Sequence, residues 1–597
     1  MSPKEAGIEG AKEIFFAVVS TTITLVAVFF PIVFMDGMTG RLFREFSIVI
    51  SGSVIISSFA ALTFTPMLAT KLLVKREKRN WFSEKTEPFF EGINKWYSRS
   101  LAKVLDKRWM TLPFVAVTII IIVYLWSTIP AETAPLEDRS RISVNTRGAE
   151  GITYEFIRDY TEDINRLVDS LVPDAQAVTA RVSSGSGNIS ITLKDIKDRD
   201  YTQMEVAEKL SAAIRSKTKA RSFVQQSSSF GGRRGGMPVQ YVLQTTSIEK
   251  LQQVLPVFMA KVYENPVFQM ADVDLKFSKP EVRIEIDRDK ANIMGVSTRN
   301  IAQVLQYGLS GQRMGYFYMN GKQYEILGEI NRQQRNKPAD LKAIYIRTDN
   351  GEMVQMDNLV NLIGGIAPPK LYRYNRFVSA TISAGLAKGK TIGQGLDEMD
   401  KIAKEVLDDS FRTALSGESK EYRESSSSLM FAFVLAIVLI YLILAAQFES
   451  FKDPLIVMLT VPLAVAGALI FMHFGGVTMN IFSQIGIIML IGLVSKNGIL
   501  IVEFANMKQA AGEDKLQAIK DASLQRLRPI LMTSASTILG LLPLVYAAGE
   551  GANQRIAMGV TVVGGMLVST VLSMYVVPAI YSYISTDRSK KNRPANV

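Results

Sequence analysis

The sequence predicts an α-helical polytopic membrane protein with eight transmembrane helices and a large α+β domain outside the membrane. The first observation is a set of eight apolar segments, each close to the ~20 residues that a helix needs to cross a bilayer. The second is the ordinary soluble composition of residues 131–428, between the third and fourth segments. The eight segments are 14–35, 47–70, 109–129, 429–448, 454–475, 480–505, 529–548 and 556–584.

The apolar segments divide the chain into six regions. These are two transmembrane helices in 1–74, a connection with an interfacial helix in 75–108, one transmembrane helix in 109–130, the extramembrane domain in 131–428, five transmembrane helices in 429–585 and a tail in 586–597. The interfacial helix is expected at 81–100, where apolar and charged residues alternate at helical spacing. A soluble linker helix is the alternative interpretation of that stretch.

Basic residues near the ends of the segments predict the orientation of the chain. The connections 71–108 and 506–528 and the tail 586–597 all contain clusters of Lys and Arg. These regions fall on one side of the membrane if every segment crosses, and such clusters mark the cytoplasmic side. The large domain is therefore expected on the opposite face.

Composition excludes several kinds of chemistry. The 597 residues include no Cys and a single His, His473, so disulfides, thiolate catalysis and Cys-ligated metals are excluded. The net charge of +12 is spread along the flanks of the apolar segments, which does not favour nucleic-acid binding. No catalytic constellation stands out in the sequence. We therefore expect no enzymatic activity, no cofactor and no metal site.

An internal repeat links the two ends of the chain. Residues 20–34 (STTITLVAVFFPIVF) are similar to 532–546 (MTSASTILGLLPLVY), and 63–70 are similar to 575–582. The aligned prolines are 35 positions apart in both copies, and the offset between copies is 512. Membrane transporters are commonly built from such repeats. Because the first copy supplies only its last two helices, we interpret the chain as the C-terminal portion of a longer protein, with a fragment, a split gene and a misplaced start all left open.

Several stretches resemble the resistance–nodulation–division (RND) superfamily, and most closely its acriflavine-resistance-type multidrug exporters. The resemblance covers essentially the whole chain. It is carried by DGMTGRLFREFS (36–47), TPMLATKLL (65–73), AETAPLEDRS (131–140), GLVSKNGILIVEFAN (492–506) and QRLRPILMTSASTILGLLPL (525–544).

The resemblance implies a homotrimer in the bacterial inner (plasma) membrane with a periplasmic domain of βαβ-type porter units and a docking insertion. It also implies a periplasmic adaptor protein and an outer-membrane channel as partners. Alternating strand and helix patterns favour the porter units, with strands of the second unit expected at 272–276 and 281–286. The docking insertion is expected at 288–376, with a hairpin in 309–330.

Lys496 is the most informative residue of the membrane segments. It lies within an apolar run, roughly 13 Å from the nearer end of its segment at 1.5 Å per residue. A charged group at that depth normally faces the bundle interior and is functional; a structural polar contact between helices is the alternative. Glu503, two turns further on, is expected to be an interfacial or pairing group.

The resemblance assigns a proton relay to Lys496, Thr533 and Arg526, with Asn497 holding Lys496 in place. In such exporters the relay also needs a pair of aspartates on the fourth span, and by the repeat that helix would precede residue 1. No Asp lies within any of the eight apolar segments. The alternative for Thr533 is a hydrogen bond to its own helix backbone.

The substrate-binding candidates lie in the first porter unit. The family's multidrug members line a pocket with phenylalanines, several of them on a flexible loop. The corresponding stretch here, SSGSGN (183–188), contains no phenylalanine, and it is expected to be a short flexible gate. The candidates are Ser184, Gly185, Phe223 and Phe230.

The sequence thus predicts an RND-type efflux subunit that exports small hydrophobic or amphiphilic compounds by proton antiport, incomplete without the preceding helices. The alternative is a non-transporting membrane assembly or protein-translocation accessory of the same superfamily.

Overall fold

The computed structural model describes residues 3–35, 37–72, 81–226, 237–367, 370–387 and 389–587. Most helices belong to a bundle formed by the two ends of the chain, and the rest belong to the intervening domain. The helices are α1 (Pro3–Val33), α2 (Gly37–Leu72), α3 (Trp81–Asp106), α4 (Thr111–Thr128), α5 (Tyr154–Leu171), α6 (Gln203–Ile214), α7 (Ile248–Glu264), α8 (Arg288–Ile293), α9 (Thr298–Ser310), α10 (Ile392–Val406), α11 (Gly417–Phe448), α12 (Asp453–Met458), α13 (Thr460–Phe474), α14 (Ile481–Ala510), α15 (Lys515–Val545) and α16 (Ala552–Ile584).

The strands all lie in the intervening domain. They are β1 (Arg141–Arg147), β2 (Ala177–Ser183), β3 (Ser186–Thr192), β4 (Arg221–Gln226), β5 (Val239–Thr245), β6 (Phe268–Val273), β7 (Lys279–Ile286), β8 (Gln312–Met319), β9 (Lys322–Gly328), β10 (Tyr345–Arg347), β11 (Met353–Gln355), β12 (Val360–Ala367), β13 (Tyr372–Tyr374), β14 (Phe377–Leu386) and β15 (Arg412–Leu415).

Seven helical segments in the described residues are long and apolar enough to cross a membrane: α2, α4, α11, α12 with α13, α14, α15 and α16. The first predicted span lies in α1, where the apolar helical stretch Val18–Val33 is shorter than the length that this test requires. The predicted count of eight therefore stays a prediction. The connection expected at 506–528 is largely helical, because α14 extends to Ala510 and α15 begins at Lys515.

The centre of the bundle is formed by α13, α14 and α16, whose apolar stretches are mostly buried against their neighbours. Small residues bring these helices together, as they do in membrane bundles generally. A Cβ added to Gly565 on α16 would lie 2.3 Å from a methyl carbon of Leu490 on α14 and 2.9 Å from the carbonyl oxygen of Ala464 on α13. This close three-helix contact fixes α14 inside the bundle.

A helix, α3, is present where the interfacial helix was predicted, and it is longer than 81–100. Its location at a membrane surface stays a prediction. Its residue Tyr97 is buried and donates a hydrogen bond to the carbonyl of Met574 on α16 over 2.7 Å. Its neighbour Ser100 bonds the hydroxyl of Tyr575. The helix is therefore attached to the bundle and is not a free linker.

The first α/β unit of the domain contains β1 to β4 with α5 and α6. Its four strands are antiparallel in the order β2-β3-β1-β4. One face of this sheet packs against the helices through Ile142, Val144, Ile189 and Ile191. The chain order β-α-β-β-α-β is that of a split βαβ unit.

The second α/β unit repeats this order with β5, α7, β6, β14, α10 and β15, and β13 extends its edge. One expectation for this unit is wrong. The strand predicted at 281–286 does not join the sheet, because β7 pairs with β12 over its whole length. The two strands form a separate ribbon leading to the inserted region, so the predicted insertion 288–376 is bounded by structure that begins earlier, at Lys279.

The inserted region has its own small core, built from α8, α9 and the strands β10 to β12. It also carries the hairpin predicted in 309–330, formed by β8 and β9 around Asn320 and Gly321. Both turn residues have positive φ, which the Asn-Gly pair favours.

Candidate functional site

Lys496 lies at the middle of α14, 15 residues after its first residue and 14 before its last. Asn480 starts this helix, because its side chain accepts hydrogen bonds from the backbone amides of Phe482 and Ser483. The Lys496 side chain is half-buried, and within the described residues it forms no ion pair or hydrogen bond. The structure therefore places a half-buried lysine, without a counter-charge among the described residues, at the middle of a helix of the bundle.

Asn497, the next residue, connects α14 to two other helices. It is buried and donates from Nδ2 to the Ser534 hydroxyl on α15 over 3.5 Å. The same Ser534 hydroxyl accepts a hydrogen bond from Thr570 on α16 over 3.1 Å. This three-helix polar contact lies one residue from Lys496. It fits the prediction that Asn497 orients its neighbour, although that role remains a prediction.

Thr533 bonds within its own helix. Its hydroxyl donates to the carbonyl of Ile530 over 3.1 Å. The structure thus contains the alternative given for Thr533, a hydrogen bond to its own helix backbone. The interhelical hydroxyl is that of Ser534, which sequence reasoning passed over. The signal was available, since Ser534 aligns with Thr22 in the internal repeat.

Arg526 lies two helical turns before Thr533 on α15. Its guanidinium carbon lies 4.3 Å from the ring centroid of Phe504 on α14, a cation–π arrangement. Next to that ring is Glu503, whose Oε2 is buried without a hydrogen-bond partner, as is Nε of Arg526. Within the described residues, Glu503 and Arg526 form no direct ion pair, and each has a buried polar atom without a hydrogen-bond partner.

A second polar cluster escaped the sequence reasoning. Asp453, the first residue of α12, is buried and accepts hydrogen bonds from Nδ2 of Asn506 (3.3 Å) and the hydroxyl of Ser585 (3.0 Å). Asn506 accepts in turn from Tyr581 at 2.6 Å, and Tyr581 accepts from Gln509 at 2.7 Å. Asp453 directly precedes the predicted segment 454–475, so it lay outside the apolar segments in which buried charges were sought.

The internal repeat is visible as a repeated hydrogen bond. Thr22 on α1 bonds the hydroxyl of Ser58 on α2, and the residues 512 positions later are Ser534 and Thr570. Both pairs span 36 positions and join the two helices of their copy. In the second copy the Ser534 hydroxyl also accepts a hydrogen bond from Asn497 on α14. Within the described residues, no side chain from a third helix forms a hydrogen bond with Thr22 or Ser58.

Three of the four substrate candidates, Ser184, Gly185 and Phe223, lie in the described part of the first unit. The stretch 183–188, expected to be a flexible loop, is mostly strand, because Ser183 and Ser186 are paired across a tight turn. Only Ser184 and Gly185 lie outside the strands, and Gly185 has the positive φ that favours glycine. Phe223 is half-buried on β4. Phe230 lies outside the described residues.

The fold defines a polytopic α-helical membrane protein with two split βαβ units outside the bundle. Residues 1–585 match the model of the AcrB/AcrD/AcrF family, and the chain therefore belongs to this family of RND-type transporters. It is similar to an uncharacterized transporter of Haemophilus influenzae, with 31% identity over 596 residues. That alignment covers 98% of this chain and 58% of the relative, so the chain spans little more than half the length of the protein it matches.

Proposed function

We propose that the chain is the C-terminal portion of an RND-type exporter that moves small hydrophobic or amphiphilic compounds out of the cell by proton antiport. The observation that carries this proposal is Lys496 in the middle of α14, which has no ion pair or hydrogen bond among the described residues, within a chain that belongs to a transporter family. A charged group held inside a bundle is costly, and such groups typically mark ion or proton pathways.

The coupling follows from elementary electrostatics. A carboxylate facing Lys496 stabilises the ammonium while it is ionised, and it loses that attraction when it takes up a proton. Lys496 then turns to other polar groups, of which Asn497 is the immediate neighbour. Because Asn497 also contacts Ser534, a shift at Lys496 reaches α15 and α16 through one hydrogen-bonded contact. Arg526 is proposed to assist release of the proton at the end of the bundle that lies far from the large domain.

The carboxylate is proposed to come from a helix outside this chain. The Thr22–Ser58 pair supports this idea, since its counterpart Ser534–Thr570 is completed by α14. A helix equivalent to α14 would then pack against α1 and α2, and its side chains equivalent to Lys496 and Asn497 would face the bundle interior. The longer relative supplies a precedent for additional length, although its own activity is uncharacterized.

The proposed setting is the bacterial inner membrane, with the large domain and its docking insertion in the periplasm. A homotrimer is proposed as the working form, with a periplasmic adaptor protein and an outer-membrane channel completing the export path. The two split βαβ units and the long β8–β9 hairpin support a role as porter and docking elements.

Dye export in a pump-deficient bacterium tests the proposal. The chain by itself is expected to give no export, whereas an assembly that supplies the preceding helices is expected to export the dye and to stop when the proton gradient is dissipated. Export by the chain alone would contradict the proposed division of the relay. An assembly that exports nothing but still binds partner proteins would favour a non-transporting accessory of the same superfamily.

A further inference from the structure

Helix α3 is attached to the bundle by one face and leaves the opposite face exposed. Tyr97, Leu101 and Leu105 recur every four positions and are buried in the core of the bundle. Arg99 and Lys103 lie on the other side, because a residue two positions after Tyr97 is rotated by about 200° in a helix of 3.6 residues per turn. Both of these basic side chains are exposed.

The exposed face of α3 carries a stripe of basic residues beside a tryptophan. Trp96, Lys103 and Lys107 are spaced by seven and four positions, which places them on one side of the helix, and Arg99 lies next to them. The backbone amide of Lys107 bonds the carbonyl of Lys103 over 3.2 Å, so Lys107 continues the helical turn. Within the described residues, the three basic side chains of this stripe form no ion pair.

Acidic residues do not neutralise this stripe. Residues 92–110 contain five basic residues and a single acidic one, Asp106. Glu91, one position earlier, lies 3.6 Å from Lys95 in an ion pair within the helix. The exposed face of α3 therefore has an excess of positive charge.

Helix α4 shows how the apolar surface of the bundle continues from this face. Two exposed tryptophans, Trp109 and Trp126, flank the apolar part of α4 and are 17 positions apart. At 1.5 Å per residue they are separated by roughly 26 Å, close to the ~30 Å of a bilayer's hydrocarbon core. The exposed side chains between them are apolar, and they include Leu112, Phe114, Val117, Ile119, Ile120 and Val123. Because tryptophans are enriched at both membrane interfaces, Trp109 marks one interface and Trp126 the other.

The basic stripe lies at the Trp109 end of the bundle. Tyr97 contacts α16 at Met574, and Arg108 contacts it at Ser582 over 3.5 Å and at the ring of Tyr583, 4.9 Å from the ring centroid. These contacts all fall within the last eleven residues of α16, 574–584. Both α3 and Trp109 therefore adjoin the same end of that helix.

We propose that the outward face of α3, formed by Trp96, Arg99, Lys103 and Lys107, binds the anionic head groups of phospholipids in the adjoining membrane leaflet. The indole of Trp96 lies at head-group level, and the three basic side chains extend to the lipid phosphates. A basic residue near a membrane surface favours anionic lipid by about fivefold in an equilibrium constant. This binding depends only on the membrane bundle, and it does not require the export activity proposed above.

The test uses the whole chain in nanodiscs that contain phosphatidylcholine and phosphatidylglycerol. The reporter is the fluorescence of Trp96, isolated by replacing the other three tryptophans with Phe. Quenching is compared when either the phosphatidylglycerol or the phosphatidylcholine is brominated, at constant lipid composition. The ratio of the two gives the local preference for the anionic lipid, and at least about a fivefold preference is expected.

Removing the basic residues should abolish this preference. In Arg99→Gln/Lys103→Gln/Lys107→Gln the ratio is expected to fall to about one, because no excess positive charge remains on the stripe. Lys103→Gln alone should give an intermediate ratio. The matched control removes three exposed basic residues that form no ion pair within the described part of the first α/β unit, and it should leave the ratio unchanged: Arg215→Gln/Lys217→Gln/Lys219→Gln.

Added salt separates a lipid surface from a site for soluble anions. Sodium chloride and sodium phosphate at equal ionic strength should weaken the preference equally, because both screen exposed charges. A larger effect of phosphate would identify a soluble-anion site and overturn the proposal. Equal quenching by both lipids in the unsubstituted stripe, a preference that survives the triple variant, or an equal loss in the matched control would also overturn it.

Discussion

The hydroxyl of Thr570 on α16 donates a hydrogen bond to Ser534 on α15 over 3.1 Å, and Ser534 is in turn the acceptor for the amide of Asn497 on α14. Three helices of the bundle thus meet at one buried hydroxyl. The residue before Asn497 is Lys496, the group on which the proposed proton coupling depends. The packing of these helices and the proposed chemistry are therefore linked through Ser534.

Replacing Ser534 with Ala should loosen this contact. The substitution leaves the Asn497 amide and the Thr570 hydroxyl without their shared partner, and it should lower the free energy of unfolding by about 1–2 kcal/mol. The check is the thermal unfolding midpoint of the purified chain in detergent. Ser536→Ala on the exposed face of the same helix is the control, and an equal shift in both variants would rule out a special role for Ser534.

Asp453→Ala should be more damaging. It leaves Asn506 and Ser585 without their common acceptor and interrupts the buried network that continues to Tyr581 and Gln509. A loss of about 2–4 kcal/mol is expected, because several buried polar groups become unsatisfied together. Urea unfolding measures it, with Asp521→Ala, which bonds only Gln517 one turn away, as the control. A similar small loss in both variants would show that the cluster contributes little.

Gly565→Ala tests the close approach of the central helices. The added methyl group would overlap Leu490 and the Ala464 carbonyl oxygen, and overpacking of this kind costs about 1–3 kcal/mol. Gly540→Ala on α15 is the matched control, since a Cβ there meets nothing within 4 Å. Stability measured side by side should fall only for Gly565→Ala. Equal stability of the two variants would mean that the bundle adjusts freely.

Asp274 provides a pH-dependent test of the second α/β unit. Burial raises the pKa of its carboxyl above the ordinary value of 3.8, and hydrogen bonds from Thr381 only partly offset this. A folded-state pKa above the unfolded value stabilises the fold fully below 3.8, and that contribution disappears as pH rises through the raised pKa. Asp274→Asn should therefore unfold at a higher temperature than the wild type at about pH 8, with the advantage shrinking towards about pH 4.

The exposed Asp409 provides the comparison for that experiment. Asp409→Asn lies in the same unit, so it controls for the general effect of removing one negative charge. A pH-independent difference between Asp274→Asn and the wild type would contradict the interpretation of a buried, partly compensated carboxyl.

Much of the architecture could be predicted because apolar length and helical or strand periodicity are local properties. The transmembrane segments, β1, α5 and the Asn320-Gly321 hairpin follow from them. The pairing of β7 with β12 could not, since a strand pattern does not specify its partner and 74 positions separate Ile286 from Val360. The helical start of α15 was missed because its first turns are polar and continue an amphipathic helix outside the apolar segment.

The candidate site was predicted unevenly for a similar reason. A lysine in an apolar run can be recognised in the sequence, and Lys496 lies at the middle of α14, while its role in a proton relay stays a prediction. Which hydroxyl of a Thr-Ser pair faces a neighbouring helix depends on helix rotation, so Ser534 rather than Thr533 makes the contact. The ion-paired Arg147–Arg221–Asp272 cluster combines residues of three separate strands from two units, so no local sequence pattern predicts it.

The central claim is that Lys496 couples a proton gradient to export. The most direct measurement is dye transport into liposomes that contain the assembly purified from its natural source through a tag on this chain, with an imposed pH gradient. Lys496→Met should reduce gradient-driven transport to the level of empty liposomes with the protein present in normal amount. Lys508→Met is on the same helix, but Lys508 is ion-paired with Glu513 in the loop after α14, and this variant should transport normally. Full transport by Lys496→Met, or wild-type transport that continues after the gradient is dissipated, would contradict the account.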